Sequence, residues 1–161
     1  MSNQDFQESS KRLVSLEIGA MILTALADGY LDHQERIAIL QVSLALKGGE
    51  LPVTKHRKSL EAIVEEVRRS ESYSRFSMFE RAREFPVDTK AEILLSALSI
   101  ARLDAPYSLA EIKVVRGINV HMSDSDEAEQ QTMDYVIRQL SEHGFESESL
   151  ERKLEHVKAY I

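Results

Sequence analysis

Apolar residues recur every three or four positions along almost the whole chain, and this spacing is the feature that most constrains its fold. It is the period of an amphipathic helix, and strand-like alternation is hard to find. Only three prolines and six glycines interrupt the pattern. The sequence therefore predicts an all-α fold, a helical bundle of about seven to eight helices.

The boundaries of the predicted helices follow from caps, glycines and prolines. A polar tail is expected before residue 11. The first four predicted helices span residues 11–27, 33–46, 55–69 and 75–84, and the fifth is capped by Asp88. The sixth spans residues 109–122, the seventh is capped by Ser123 or Asp124 and ends near Leu140, and the eighth spans residues 147–161. The first and fifth helices are apolar on most faces, so we expect them to be partners in the core.

Length and composition indicate one globular domain that spans residues 1–161. The net charge of −7 argues against nucleic acid as a partner, because phosphate binding needs a surplus of Lys and Arg. The chain has no Cys, so any metal ion must be held by oxygen or imidazole. The longest apolar run, Ile18 to Ala27, has about half of the ~20 residues of a membrane-spanning helix and lacks the flanks of a signal peptide, so we expect a chain that is not transmembrane.

Two parts of the chain carry the same pattern of carboxylates and apolar positions. When residues 23–35 are laid over residues 99–111, three residues coincide. Ala25, Asp28 and Glu35 recur as Ala101, Asp104 and Glu111. The pattern predicts an internal pseudo-twofold duplication, with one repeat at about residues 11–50, a second at about 88–126, and an extra C-terminal helix at about 147–161.

Each repeat is predicted to be a helix, a tight turn and a second helix that opens with a capping box. The boxes pair Asp32 with Glu35, and Ser108 with Glu111, at the spacing of a cap residue and the carboxylate that bonds back to it. Such a box stabilises a helix by about 1 kcal/mol. It explains both glutamates without any ligand, but it does not explain why the Asp that precedes each turn also recurs.

The alternative explanation is a metal site formed where the two turns meet. Antiparallel packing of the first and fifth helices would bring the carboxylates of both repeats together, where they repel one another unless a cation neutralises them. The candidate ligands are Asp28, Asp32, Glu35, Asp104 and Glu111. An all-oxygen set favours Ca²⁺, Mg²⁺ or Mn²⁺, and His33 could help to recruit Zn²⁺.

The string from Ala27 to Glu35 (ADGYLDHQE) and its weaker repeat resemble the TerB family of tellurite-resistance proteins, over about residues 11–142. The resemblance implies a bundle of about seven helices in two halves, a cytoplasmic or membrane-peripheral location, and a role in tellurite resistance and stress responses within multi-protein assemblies. It also implies an acidic, metal-linked site at the repeated carboxylates. The second repeat has Ala105-Pro106 in place of the glycine and Ser108 in place of an acid, so strict symmetry is not expected.

No nucleotide-binding loop, nucleophile elbow or zinc-protease motif is present, so we predict a protein that is not an enzyme. Water activated by a carboxylate-bound metal is the remaining catalytic alternative. The alternative of another class is a metal-free helical interaction scaffold, like the TerB-like domains of co-chaperone and membrane-stress proteins. Its expected surface is the basic patch formed by Lys55, Arg57, Lys58, Arg68 and Arg69. The sequence leaves open whether the protein is a homodimer.

Overall fold

The computed structural model describes residues 3–28, 39, 65, 76–101, 108–144, 150–152 and 154–155. This part of the chain contains four α-helices, two 3-10 helices and no strand. The α-helices are α1 (Asn3–Ala25), α2 (Val87–Ala101), α3 (Leu109–Met122) and α4 (Asp126–Glu142), and the 3-10 helices are Leu26–Asp28 and Met78–Ala82. The all-α prediction is confirmed. The number of helices in the whole bundle and the duplication stay predictions, because residues 33–46 and 55–69 lie almost wholly outside the described residues.

Helix α1 begins at Asn3, so the prediction of a polar tail before residue 11 is wrong. The segment has no Pro or Gly to stop a helix, and it contains Gln, Glu, Lys and Arg, which have high helix propensity. Polarity alone therefore does not end a helix that can continue from a buried segment.

The core is built around α1 and α2, which make the most extensive helix–helix contact in the described part of the chain. Helix α2 also packs against α4 and α3. Large side chains such as Ile22, Leu94 and Ile118 are fully buried between these helices, and each such burial stabilises the fold by about 1.5–3 kcal/mol. The prediction that these two apolar helices are partners in the core is confirmed.

The start of α2 differs from the prediction. The carbonyl of Pro86 accepts the first helical hydrogen bond, from the Lys90 amide at 3.0 Å, so Pro86 occupies the cap position. Asp88, the predicted cap, lies inside the first turn, and its Oδ1 accepts from the Thr89 amide at 2.9 Å. A carboxylate there is still favourable, because the N-terminus of a helix carries partial positive charge.

The start of α4 also lies further along the chain than predicted. The Ser125 side chain is the cap, with its Oγ accepting from the Ala128 amide at 3.1 Å. Ser123 instead ends α3, because its amide donates to the Val120 carbonyl at 3.2 Å. The predicted caps Ser123 and Asp124 are therefore wrong, and α4 continues to Glu142 rather than to Leu140.

The predicted helix at residues 75–84 is present only in part, as helical residues 76–77 followed by the 3-10 helix Met78–Ala82. Its Phe79 and Ala82 are fully buried. The segment lies against α1, where Gly19 faces Met78 so closely that a Cβ on Gly19 would come within 2.6 Å of Met78 Cε. The missing side chain of Gly19 therefore allows the two elements to pack.

In the described ranges, no helix combines the length and the apolar character that crossing a bilayer requires.

Candidate functional site

The first turn of α3 contains the predicted capping box of the second repeat. Ser108 has an extended backbone, and its Oγ accepts from the Glu111 amide at 3.1 Å. In return, Oε1 of Glu111 accepts from the Ser108 amide at 3.2 Å. The capping-box prediction for Ser108 and Glu111 is confirmed. The equivalent pair, Asp32 and Glu35, lies outside the described residues.

Glu111 is also buried, with only 2% of its surface exposed. A capping box fixes the position of a carboxylate in the first turn, but it does not require that the carboxylate be removed from water. Burial of a charged group is costly unless hydrogen bonds or opposite charges compensate for it. Glu111 is therefore a buried carboxylate whose position the capping box fixes.

The turn that ends at Asp28 lies near this helix. The 3-10 helix Leu26–Asp28 directly follows α1, and it packs against α3. The backbone that carries Asp28 and the helix that carries Glu111 are therefore neighbours, as the hypothesis of converging carboxylates requires. The side chain of Asp28 lies outside the described residues, as do Asp32, Glu35 and Asp104.

Other predicted features also lie outside the described part of the chain. One is His33, the candidate zinc ligand. The others are the five residues of the basic patch, Lys55, Arg57, Lys58, Arg68 and Arg69. Within the described residues there is no cluster of three or more His, Asp or Glu side chains that could hold a metal ion. The predicted set of five metal ligands therefore stays a prediction.

One buried acid was missed in the sequence. Glu17 on α1 is 4% exposed. The pKa of this carboxyl is raised to about 7, mainly by burial and also by the nearby charge of Glu92, while a hydrogen bond from Ser96 acts in the opposite direction. The sequence carried a signal for it, because Glu17 lies between Leu16 and Ile18, at the start of the most apolar stretch of α1.

A second polar feature that the sequence did not reveal is an ion pair between α3 and α4. Arg116 Nε lies 3.2 Å from Glu129 Oε1, and each side chain is 15% exposed. The Asn119 side-chain amide donates to the Glu129 carbonyl at 2.9 Å. Arg116 Nη1 is buried and has no hydrogen-bond partner in the described structure. These contacts tie the two helices together by polar groups beside the apolar core.

The ion pair forms one wall of a cleft of about 210 Å³ between α3, α4 and the helical residues near the C-terminus. Its described lining combines apolar side chains with carboxylates. The lining residues are Arg116, Asn119, Glu129, Gln130, Met133, Asp134, Ile137, Glu151, Leu154 and Glu155. The helical period of the sequence could not predict this cleft, because residues from three separate segments form it.

His121 is half-buried in the last turn of α3. Its Nδ1 lies 2.9 Å from the Gly117 carbonyl, so this nitrogen carries the proton and donates. Its ring stacks on Phe76, with 5.3 Å between the ring centroids and 23° between the planes. This histidine therefore helps to hold the segment before Met78 against α3.

Models of known protein families, characterised proteins and solved structures give no match to this chain. The resemblance to the TerB family therefore remains a prediction carried by the residues of the repeated turn.

Proposed function

We propose that this protein is a non-enzymatic binding protein of the TerB type, which holds a divalent metal ion between its two carboxylate turns and acts within a larger stress-response assembly. The observation that carries the proposal is the burial of Glu111. Its helix packs against the turn that ends at Asp28. A cation shared by these turns would lie beside a carboxylate whose position the capping box with Ser108 already fixes.

The chemistry of the candidate ligands limits the ion. Carboxylate oxygens favour Ca²⁺, Mg²⁺ or Mn²⁺, and Zn²⁺ would need imidazole, for which His33 is the nearest candidate in the sequence. The role in tellurite resistance is proposed to be indirect, because the chain has no thiol to reduce an oxyanion. Its partners are proposed to be other proteins of a stress-response or membrane-associated complex.

Thermal unfolding with EDTA and with each of these four ions tests the proposal. An ion that binds only the native state stabilises it by about 2.7 kcal/mol at a concentration one hundred times its Kd. For a domain of this size, that raises Tm by about 5–10 °C. We expect one ion to give a saturable rise with the wild-type chain.

Two variants separate the metal site from the cap. Glu111→Gln keeps the capping box, because Gln serves at this position as well as Glu, but it removes the charge. Ser108→Ala removes the cap and keeps the carboxylate. We expect Glu111→Gln to lose the ion response, and Ser108→Ala to lower Tm in EDTA while keeping the response. If no ion raises Tm of the wild-type chain, the metal site is excluded.

A metal-free interaction scaffold is the second candidate, and the intact capping box favours it. The reciprocal bonds of Ser108 and Glu111 account for a Glu at this position without a ligand. In that case the basic patch is the proposed surface. Replacement of Lys55, Arg57 and Lys58 by Gln would then abolish salt-sensitive co-purification of a partner, whereas Glu111→Gln would not.

A further inference from the structure

Residues 76–82 form a segment, which we call the strap, that packs across two helices of the core. Its 3-10 helix contacts both α1 and α3. At the α3 end of the strap, Phe76 lies over Gly117, and at the α1 end Met78 lies over Gly19. The strap therefore has two anchors, and each one depends on a glycine that leaves room for a single side chain.

The end of the Met78 side chain packs directly on the backbone of α1. A Cβ on Gly19 would come within 2.6 Å of Met78 Cε and within 3.1 Å of its Sδ, so the thioether fills the space that a side chain at Gly19 would need. The buried ring of Phe79 borders the same space, with its Cζ 4.0 Å from that Cβ position. The thioether thus lies between an aromatic ring and a helix backbone whose amides are already hydrogen-bonded within α1.

Met78 is also the described methionine that solvent reaches best. Met21 and Met122 are fully buried and Met133 is 7% exposed, whereas Met78 is half-buried. The chain has no Cys, so methionine is its sole sulfur-containing residue type. Because susceptibility to oxidants follows exposure of the sulfur-bearing side chain, Met78 should react before the other three.

We propose that Met78 is a reversible oxidation site that sets how firmly the strap is held on α1. The oxidant is a peroxide. The Met78 sulfur attacks one peroxide oxygen with a lone pair, the O–O bond breaks, and the second oxygen leaves as water after proton transfer. The sulfur thereby loses the two electrons that the peroxide gains, and the product is the sulfoxide.

The sulfoxide no longer fits the space over Gly19. Its oxygen is a polar group, and the amides of α1 beneath it are already bonded, so burial there without a hydrogen bond is costly. The oxidised Met78 side chain therefore leaves α1, while Phe76 keeps its contact with α3. Methionine sulfoxide reductase, with a thiol as reductant, reverses the change. The inference does not depend on the metal site, which involves other residues.

Peptide mapping by mass spectrometry, on the full chain treated briefly with hydrogen peroxide, tests the chemical step. Trypsin releases Met78 as the one methionine of the peptide 76–81. We expect Met78 to gain one oxygen at least about tenfold faster than Met21, Met122 and Met133 in the native protein, and the four rates to converge in concentrated urea. Comparable rates in the native protein would overturn the proposal, because the fold would then not single out Met78.

Hydrogen exchange tests the structural step. We expect oxidation to speed amide exchange in the strap at least about tenfold, with a change of less than about twofold in α4, and reductase with dithiothreitol to restore the original rates. Met78→Leu is the matched control, because it keeps the apolar packing and cannot form a sulfoxide. Met78→Gln should loosen the strap without peroxide. Unchanged exchange after complete oxidation of Met78, or an equal response of Met78→Leu to peroxide, would overturn the proposal.

Discussion

The ring of Phe76 lies directly over Gly117 of α3, so that a Cβ on Gly117 would come within 2.8 Å of Phe76 Cε1. The same ring stacks on His121, one turn further along the helix. The glycine thus provides the space that lets the segment before the 3-10 helix reach α3. Two predictions about stability follow from this contact and from the similar one at Gly19.

Gly117→Ala should destabilise the protein by up to about 2 kcal/mol. The substitution gains about 1 kcal/mol of helix propensity, but displacement of a packed aromatic ring costs more, typically about 1–3 kcal/mol. Urea unfolding at constant pH measures the difference. A gain in stability would contradict the close contact with Phe76. Gly19→Ala is the comparison, and its cost should be smaller, because the end of the flexible Met78 side chain can move away.

Glu17→Gln should make stability less dependent on pH. The pKa of Glu17 is about 7 in the folded protein, above its ordinary value of 4.5, so the native state binds the proton more tightly than the unfolded state does. The contribution of this carboxyl to stability is therefore present below about pH 4.5 and is lost as the pH rises to 7. At pH 8, Glu17→Gln should exceed the wild type by an amount of the order of 2 kcal/mol.

Urea unfolding between pH 5 and pH 8 measures this slope, with Glu92→Gln as the control. Glu92 is exposed and is only the second cause of the shift. Its replacement should therefore reduce the slope less than Glu17→Gln does. A wild-type stability that does not fall between pH 5 and pH 7 would rule out an elevated pKa at Glu17.

The ion pair of Arg116 and Glu129 should couple α3 to α4. Glu129→Gln leaves a largely buried guanidinium without its counter-charge and should cost about 1–3 kcal/mol. Arg116→Met combined with Glu129→Gln should recover most of this loss, because neither charge then remains buried. A double-mutant cycle on unfolding free energies tests the coupling. Additive effects of the two substitutions would contradict it.

The cap of α4 offers a direct test of the helix boundary. Ser125→Ala removes the bond to the Ala128 amide and should cost about 1 kcal/mol. Asp124→Ala, one residue earlier at an exposed position, should change stability by less than about 0.5 kcal/mol. The same urea titration measures both. The reverse order would place the start of the helix where the sequence alone predicted it.

The sequence predicted those features that depend on neighbours along the chain. The helical period located α2 and α3, and the spacing of Ser108 and Glu111 identified a capping box that the structure confirms. Errors arose where several residues compete for one role, as Ser123, Asp124 and Ser125 do at the start of α4. Local polarity cannot decide among them, since the backbone geometry at the end of α3 determines which residue caps the next helix.

The cleft and the ion pair could not be predicted from the sequence, for a different reason. Arg116 and Glu129 lie on separate helices, and Leu154 reaches the cleft from a third segment. No periodic pattern encodes the relative placement of such segments, because it results from how the helices pack. Glu17, in contrast, could have been identified as the charged residue inside an otherwise apolar stretch.

The contact between α1 and α2 has a consequence for the order in which the protein folds. It joins segments that are far apart in the chain, so a long loop must close before their apolar surfaces are buried, and the entropy cost of closure delays this step. Helices α3 and α4 are adjacent, and their ion pair links residues only 13 positions apart. We therefore expect the α3–α4 pair to form early as a local hairpin and the contact between α1 and α2 to form later.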